Sequence, residues 1–234
     1  MYNINMMIDK LKDFGPVYVI NLEKRKDRKE VLLKSFNDFG ITNYHFIDAV
    51  DASTEDLYKS LHQDKLLKTK YVELACTLSH FKAIQFWLEN SDSEYALIME
   101  DDLSFETVQY WDFSWKDFIK SIDFKYSIIQ LQIGAMKKID KSMHVREYWD
   151  QCTGLYLINR EHAIRFIKKH FIDGKYDLPN FAVADYFLYD NPDTYAIPLF
   201  VVNELSYKSD INPELTFFQT HSRNQILDYW KNKI

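Results

Sequence analysis

An apolar run that ends in three consecutive carboxylates constrains the fold of this chain more than any other feature. The segment YALIMEDD, residues 95–102, places five apolar residues in a row before the acids and contains no turn former. Such a run is typical of a strand inside a parallel sheet, where both faces are buried. Ligands bind beyond the carboxyl ends of the strands in these sheets. The segment therefore predicts an α/β fold whose ligand-binding edge carries the acids.

The acidic triplet itself has more than one interpretation. Side chains alternate along an extended chain, so Glu100 and Asp102 point the same way and Asp101 points elsewhere. Two carboxylates on one side could hold Mg²⁺ or Mn²⁺, which take carboxylate and water ligands and bridge to substrate phosphates. This favours chemistry on a nucleotide or nucleotide-sugar. An acidic turn in solvent, or a helix start with an aspartate cap, explains the triplet equally well.

Length and charge exclude several classes of protein. The chain has 234 residues, enough for one well-buried α/β core, and we expect a single domain over residues 1–234. Acidic residues number 35 against 29 basic ones, for a net charge of −6 and no large basic tract. We therefore expect no nucleic-acid partner, because phosphate neutralisation dominates that kind of binding. The sequence also lacks GxGxxG and Walker-type phosphate loops.

The cysteines and the first residues indicate the setting. Cys76 and Cys152 show no CxxC spacing, and no HExxH motif is present, which argues against a disulfide scaffold and a zinc site. Residues 1–14 lack the apolar core of a signal peptide, and no stretch is apolar enough to span a membrane. We expect a cytoplasmic location, with any membrane contact peripheral.

Hydrophobic periodicity predicts alternating strands and helices. The predicted strands cover residues 17–22, 44–48, 126–133 and 155–158, in addition to the run before the triplet. The predicted helices are one that ends at Gly40 and others near residues 55–67, 72–90, 111–122, 160–171 and 181–189. Three prolines, Pro192, Pro198 and Pro213, predict a loop-rich carboxyl third.

The helix over residues 72–90 is apolar on two stripes, which predicts that it is largely buried. Cys76 and His80 lie four residues apart and could share a metal, but each also fits an interior stripe without one. Ser79 and His80 can act on a ligand only if their end of the helix faces the site.

Three segments that precede or contain the triplet resemble glycosyltransferase family 25, the lipooligosaccharide and procollagen galactosyltransferase family. They are VINLEKRKDR (residues 19–28), FIDAVDA (residues 46–52) and ELACTLSH (residues 73–80), which leads to IMEDD (residues 98–102) at the family's usual separation. Farther on, CTGLYLI (residues 152–158), Asp185 and the pair His221-Ser222 are similar to family segments. Two positions differ, since Lys24-Arg25 replaces a double arginine and Glu73 or a neighbour replaces a glycine.

The resemblance implies a fold and an activity. The fold would be a single-domain A-type glycosyltransferase with a mostly parallel central sheet flanked by helices. Residues from about 15 to 110 would bind nucleotide-sugar and metal, and residues from about 111 to 234 would bind the acceptor. The activity would be metal-dependent, inverting transfer of galactose or glucose from a UDP-sugar to a hydroxyl group. A lipooligosaccharide terminus and a hydroxylysine of a collagen-like chain both fit as acceptor.

The resemblance also implies residue roles at the donor. Asp102 would bind Mn²⁺ (or Mg²⁺), Glu100 would support the ribose or a metal-bound water, and His221 would be a third metal ligand unless it is an exposed loop histidine. Arg25 and Arg28 follow the first strand and suit phosphate, although a solvated first turn with Asp27 is the alternative. The other residues expected at the donor are Asn21 and Asp51, which would meet the uridine or cap a helix, and Leu22, Ser79, His80 and Asp101.

Asp185 is the expected general base. A carboxylate on an aromatic helix loses solvation, which raises its pKa towards a useful value, and a buried helix cap is the competing interpretation. Glu204 and Asp210 are the substitutes. Two other functions stay open: a nucleotidyltransferase with the same acidic metal site, and a transferase-like binding module without activity.

Overall fold

The strands of this chain form one central sheet in the computed structural model, which describes residues 4–62, 68–204 and 216–233. Within those residues the sheet has eight strands in the order β2-β1-β3-β7-β5-β10-β4, and β6 pairs with β10. They are β1 (Val17–Asn21), β2 (Tyr44–Asp48), β3 (Tyr95–Glu100), β4 (Leu103–Ser104), β5 (Ile128–Gln132), β6 (His144–Val145), β7 (Leu155–Asn159) and β10 (Thr194–Val202). A separate hairpin pairs β8 (Phe171–Ile172) with β9 (Lys175–Tyr176).

The sheet is mostly parallel. Strand β1 pairs in parallel with β2 and β3, and β5 pairs in parallel with β10. Strand β7 lies antiparallel between β3 and β5, so all five of the other long strands run in one direction. Their carboxyl ends therefore meet the amino end of β7 at one edge of the sheet.

Helices cover both faces of this sheet. They are α1 (Ile4–Lys10), α2 (Lys26–Phe39), α3 (Tyr71–Asn90), α4 (Trp115–Ser121), α5 (Arg160–His170), α6 (Ala184–Phe187) and α7 (Thr216–Asn232), with 3₁₀ turns at Leu57–Ser60 and Glu106–Tyr110. Side chains of β1 alternate, so Val17 and Val19 pack with α2, α4 and α7, whereas Tyr18 and Ile20 pack with α3, α5 and α6. The predicted α/β fold with a flanked, mostly parallel sheet is confirmed.

The sequence patterns behind β3 and α3 have the predicted consequences. Residues 96–99 are fully buried, because β3 has neighbours on both edges and helices on both faces. Helix α3 buries Leu78, His80 and Trp87 on different sides, as its two apolar stripes require. Gly40 ends α2 in the left-handed conformation, with φ of 68°.

The prediction of a loop-rich carboxyl third is wrong for the described residues of that third, and Pro213 lies outside them. Strand β10 runs through Pro198, which the sheet accommodates because the register between β10 and β5 shifts between Ala196 and Phe200. Helix α7 packs on β10, and the indole of Trp230 donates a hydrogen bond to the Pro198 carbonyl at 2.9 Å. The proline therefore lies at a sheet irregularity and does not end the strand.

Three predicted helices are shorter in the structure. The helix expected near residues 55–67 is a 3₁₀ turn, Leu57–Ser60, and residues 63–67 lie outside the described part of the chain. The helix expected from residue 111 begins at Trp115, because the Ser114 side chain accepts a hydrogen bond from the Asp117 N–H and caps it there. The aromatic helix near residues 181–189 is the single turn α6. Across the described ranges, every helix is too short or too polar to cross a membrane.

Candidate functional site

Two cavities meet at the acidic edge of the sheet. The first, of about 280 Å³, lies between the end of β1, the loop after β2, helix α3 and the triplet. The second, also about 280 Å³, lies between the triplet, the turn before β7 and helix α6. Cys76, Glu100 and Asp102 line both cavities. The acids predicted at the ligand-binding edge thus form the boundary between two adjoining spaces.

Asp101 faces the first turn of α2 and organises the edge. Its carboxylate accepts hydrogen bonds from the Asn21 amide at 2.7 Å and from the Arg28 guanidinium at 2.9 Å. Burial raises the pKa of Asp101, and the charge of Arg28 opposes the rise. Asn21 also donates to the Arg25 carbonyl at 3.2 Å. Asn21 and Asp101 therefore hold β1, β3 and α2 together at the wall of the first cavity.

Glu100 is fixed by two donors. It accepts hydrogen bonds from the Thr153 hydroxyl at 2.7 Å and from His80 Nε2 at 3.2 Å. Because an ionised carboxylate can only accept, His80 Nε2 is the donor to Glu100, and Nδ1 lies 3.1 Å from the Tyr156 hydroxyl. Burial alone would raise the pKa of Glu100, but the hydrogen bonds of His80 and Thr153 outweigh it and the net direction is downward.

Asp102 carries the least compensated charge of the triplet. Burial raises the pKa of Asp102 to about 7, the charge of Glu100 adds to the rise, and Arg28 opposes it. The Arg28 guanidinium lies 3.6 Å from the Asp102 carboxylate. A dehydrated carboxylate that lines a cavity beside a second carboxylate is a suitable oxygen ligand for a divalent cation.

The loop after β2 closes the first cavity. Ser79 accepts a hydrogen bond from the Val50 N–H at 2.9 Å and donates to the Ala75 carbonyl at 2.7 Å. Asp51 forms an ion pair with Lys24 at 2.7 Å, and this pair and the Ser53 hydrogen bonds lower the pKa of Asp51 to about 2. Lys24 lines the cavity and was not predicted as a site residue, although its place in the Lys24-Arg25 pair was a signal.

The structure separates the two arginines predicted to bind phosphate. Arg28 lines the first cavity, as does Leu22. Arg25 lies outside the lining and makes a two-pronged ion pair with Asp27, with both nitrogen–oxygen distances 3.0 Å. Among the described residues, the Lys and Arg side chains that line this cavity are therefore Lys24 and Arg28.

Asp185 lies in the second cavity. It accepts a hydrogen bond from the Cys152 N–H at 3.1 Å, and its other oxygen lies 3.5 Å from the Thr153 hydroxyl. Burial raises the pKa of Asp185, the Cys152 hydrogen bond opposes the rise, and the charge of Glu100 adds to it. Cys152 has φ of 81°, a backbone conformation that is costly for a residue other than glycine and is concentrated at functional sites.

The remaining predicted residues lie elsewhere. His221 is on α7 and not in a loop, its Nε2 is 3.0 Å from the Gln225 amide, and it does not line either cavity within the described residues. Glu204 has a largely exposed side chain, 4.0 Å from Arg223. Asp210 lies outside the described residues. Among the described residues that could hold a metal, Cys76, His80 and Glu100 have ligand atoms within 4.8 Å of one another.

Two residues near the site were missed by sequence reasoning. Thr153 bridges Glu100 and Asp185, and its only signal was its place in the segment at residues 152–158. Arg146 donates hydrogen bonds to the backbone carbonyls of Asp150 at 2.7 Å and Asp185 at 2.6 Å. Nothing in the sequence around Arg146 indicated this contact, which depends on the fold.

The model of the family described as "Glycosyltransferase family 25 (LPS biosynthesis protein)" matches residues 14–171. The chain belongs to glycosyltransferase family 25. The family assignment made from the sequence is thereby confirmed. The matched span of this family 25 member contains the whole first cavity, whereas Asp185 and His221 lie beyond it.

Two relatives carry related names. A protein of Acanthamoeba polyphaga mimivirus with a provisional glycosyltransferase name is 35% identical over 95 residues, which are 38% of this chain and 29% of the relative. A glycosyltransferase 25 family member of Drosophila melanogaster is 29% identical over 102 residues, 38% of this chain and 16% of the relative. Each of these two pairwise matches thus spans less than a third of the relative's own length.

A solved protein from the virus STIV superposes on this family 25 chain with a TM-score of 0.43 and 13% identity. The superposition covers 79% of this chain and 82% of the viral protein.

Proposed function

We propose that this family 25 glycosyltransferase transfers galactose or glucose from a UDP-sugar to a hydroxyl group on a glycan or protein, with a divalent metal and with inversion at the sugar. One observation carries the proposal. Two cavities share the carboxylates Glu100 and Asp102, and the second cavity contains another acid, Asp185. This arrangement supports the proposal, because one cavity would take the donor, the other would take the acceptor, and the shared carboxylates would lie between them.

The first cavity suits the nucleotide of the donor. Lys24 and Arg28 supply positive charge for a diphosphate, and guanidinium groups match its oxygens well. Leu22, Ala49 and Val50 supply apolar surface for the uridine. Ser79 and Asp101 also line this cavity, and their hydrogen bonds with Val50 and Asn21 fix its walls.

Asp102 would hold the metal, with Glu100 as its neighbour. Both are oxygen ligands of the type that Mn²⁺ and Mg²⁺ prefer, and together they leave negative charge that a cation would neutralise. A bound cation supplies charge neutralisation on the leaving diphosphate. Arg28 holds Asp101, and His80 and Thr153 hold Glu100. These contacts fix the end of the strand that Asp102 follows.

Asp185 is the proposed general base. Inversion requires that the acceptor hydroxyl attack from the side opposite the leaving group, so the base belongs in the cavity that does not hold the nucleotide. Its partly buried carboxylate has a raised pKa, which strengthens it as a proton acceptor near neutral pH. The proton of the hydroxyl passes to Asp185 as the new glycosidic bond forms and the nucleoside diphosphate departs.

The two halves of the chain would divide the work. The first cavity is lined by residues between 20 and 102, and the second adds residues between 132 and 219. The amino-terminal half would thus bind donor and metal, and the carboxyl-terminal half would complete the acceptor site.

A donor screen tests the function. Each of a panel of UDP-sugars is incubated with the protein and Mn²⁺, with and without oligosaccharide or hydroxylysine-peptide acceptors, and UDP release is measured. The expected result is UDP release from one UDP-hexose, a rise with an acceptor, and an inverted anomeric centre by NMR. Pyrophosphate release from a nucleoside triphosphate would instead indicate a nucleotidyltransferase. UDP binding without any turnover would indicate an inactive module.

A further inference from the structure

Exposed aromatic side chains pack against a tyrosine that lines the second cavity. Tyr186 lines the cavity, and the ring of Tyr148 stacks on it with centroids 4.7 Å apart and an interplanar angle of 16°. Phe181 lies 6.0 Å from Tyr186 on centroids. Tyr148 is 69% exposed and Phe181 is 50% exposed. We call Tyr148, Phe181 and Tyr186 the aromatic rim.

Exposure of these rings is a feature that packing does not explain. Single exposed apolar side chains are ordinary, but a contiguous group at a cavity mouth marks a binding surface. The outer face of Tyr148 is available to a ligand, because its inner face already lies against Tyr186.

The aromatic rim is held at a fixed place relative to Asp185. Arg146 donates hydrogen bonds to the carbonyls of Asp150 and Asp185, and its guanidinium lies 4.5 Å from the centre of the Tyr189 ring. Gln151 donates to the Tyr186 hydroxyl at 2.8 Å and pairs with Gly134 through two backbone hydrogen bonds of 2.9 Å. The segment that carries Tyr148 is therefore tied to the α6 turn that carries the proposed base.

The first cavity offers no comparable surface. Its described lining contains no Phe, Tyr or Trp. The aromatic rim adjoins the second cavity through Tyr186, so the substrate that contacts the rim would be the acceptor and not the nucleotide.

We infer that the aromatic rim is an acceptor subsite and that the acceptor is a glycan, whose sugar ring packs on the outer face of Tyr148 while a hydroxyl reaches Asp185. This inference rests on the proposed function. A pyranose combines an apolar C–H face with polar edges, and a tyrosine combines an apolar ring with a polar tip. Proline-rich peptides bind between aromatic side chains that line a groove, whereas these two rings lie on each other and present one flat face.

A hydroxylysine acceptor fits this surface less well. Its alkyl chain covers little of a ring, although Glu73 in the second cavity could receive its ammonium group. A peptide acceptor is therefore the alternative outcome of the experiment.

The experiment compares three variants with the wild-type protein. Tyr148→Ala removes the ring, and Tyr148→Phe keeps it. Tyr58→Ala is the control, since Tyr58 is another exposed tyrosine, 53% exposed, that packs on a second tyrosine, Tyr71, with centroids 5.5 Å apart. The probes are a panel of labelled oligosaccharides with galactosyl, glucosyl, N-acetylglucosaminyl or heptosyl ends, and a collagen-type peptide with hydroxylysine.

Transfer and donor hydrolysis are measured separately for each variant. Tyr148→Ala should raise the KM for the accepted oligosaccharide about tenfold, the scale of one lost stacking contact, with the donor KM unchanged. Tyr148→Phe and Tyr58→Ala should stay within about twofold of wild type. The inference is overturned if the peptide is the acceptor, or if Tyr148→Ala leaves the oligosaccharide KM unchanged. Absence of UDP-sugar binding and hydrolysis in the wild-type protein would instead contradict the proposed function itself.

Discussion

Arg28 lies 2.9 Å from Asp101 and 3.6 Å from Asp102, so one buried guanidinium serves two neighbouring acids of the triplet. The two pairs join the first turn of α2 to the end of β3. Since Asp101 takes the shorter contact and the Asn21 hydrogen bond, Asp102 keeps its charge directed at the cavities.

Asp101→Asn should therefore destabilise the fold. The substitution removes the negative charge that pairs with Arg28 at 2.9 Å, and loss of one charge of a buried ion pair costs about 3 kcal/mol in the free energy of unfolding. Asp27→Asn is the control, because Asp27 pairs with Arg25 at the surface and should cost less than about 1 kcal/mol. Urea unfolding of both variants measures the difference. Equal losses would show that the Arg28–Asp101 pair contributes no more than a surface pair.

The local parts of this site could be predicted from the sequence, and the long-range parts could not. The apolar run before Glu100 predicted a buried strand because strand burial follows from neighbouring residues. The Thr153–Glu100 and Arg146–Asp185 contacts join residues 53 and 39 positions apart, and no local pattern encodes them. Pro198 misled the prediction for the same reason, since the register shift that accommodates it depends on β5.

Metal removal should weaken nucleotide binding. Titration of UDP by calorimetry with Mn²⁺ should show an affinity at least about tenfold higher than in excess chelator, because the cation offsets the charge of Glu100 and Asp102 against the diphosphate. Asp102→Asn should give the chelator result even with Mn²⁺ present, since it removes the charge and keeps the shape. An equal affinity for UDP with Mn²⁺ and with chelator would show that donor binding does not depend on the metal.

Lys24→Ala should weaken the binding of UDP more than the binding of uridine. Lys24 lines the first cavity, and loss of a charge-assisted contact to phosphate costs roughly tenfold in affinity. Arg25→Ala is the matched control, because its guanidinium pairs with Asp27 outside the lining, and its effect on UDP should be smaller. Calorimetry with both ligands makes the comparison. A larger loss from Arg25→Ala would place the diphosphate outside the described cavity.

Acidification should destabilise the protein through His162. Burial lowers the pKa of His162 to about 4, so the folded protein keeps this side chain neutral where the unfolded chain is protonated. The contribution of neutral His162 to the free energy of unfolding is fully present above the ordinary pKa near 6.5. It falls by on the order of 3 kcal/mol as the pH decreases from there through 4. His162→Gln should remove much of that loss between pH 7.5 and pH 5, measured by urea unfolding.

His144 provides the control of opposite sign. The hydrogen bond that His144 donates to the Asp150 carboxylate raises the pKa of His144, so this pair stabilises the fold below the ordinary pKa and loses that effect as the pH rises. His144→Gln should therefore deepen the loss of stability on acidification, whereas His162→Gln reduces it. Parallel behaviour of the two variants would contradict both assignments.

Replacement of Asp185 should separate chemistry from binding. A general base acts in the transition state and contributes little to the ground state, so Asp185→Asn should bind UDP with Mn²⁺ almost as wild type does and transfer sugar about a hundredfold more slowly. The asparagine side chain can still accept a hydrogen bond from the Cys152 N–H, so the turn before β7 keeps this contact.

Glu204→Gln is the control, because that side chain is largely exposed and does not line the cavity, and its rate should stay within about twofold of wild type. Transfer at the wild-type rate by Asp185→Asn, with a slow Glu204→Gln, would reassign the base to Glu204. Loss of cooperative melting in Asp185→Asn would show that the carboxylate is a buried cap.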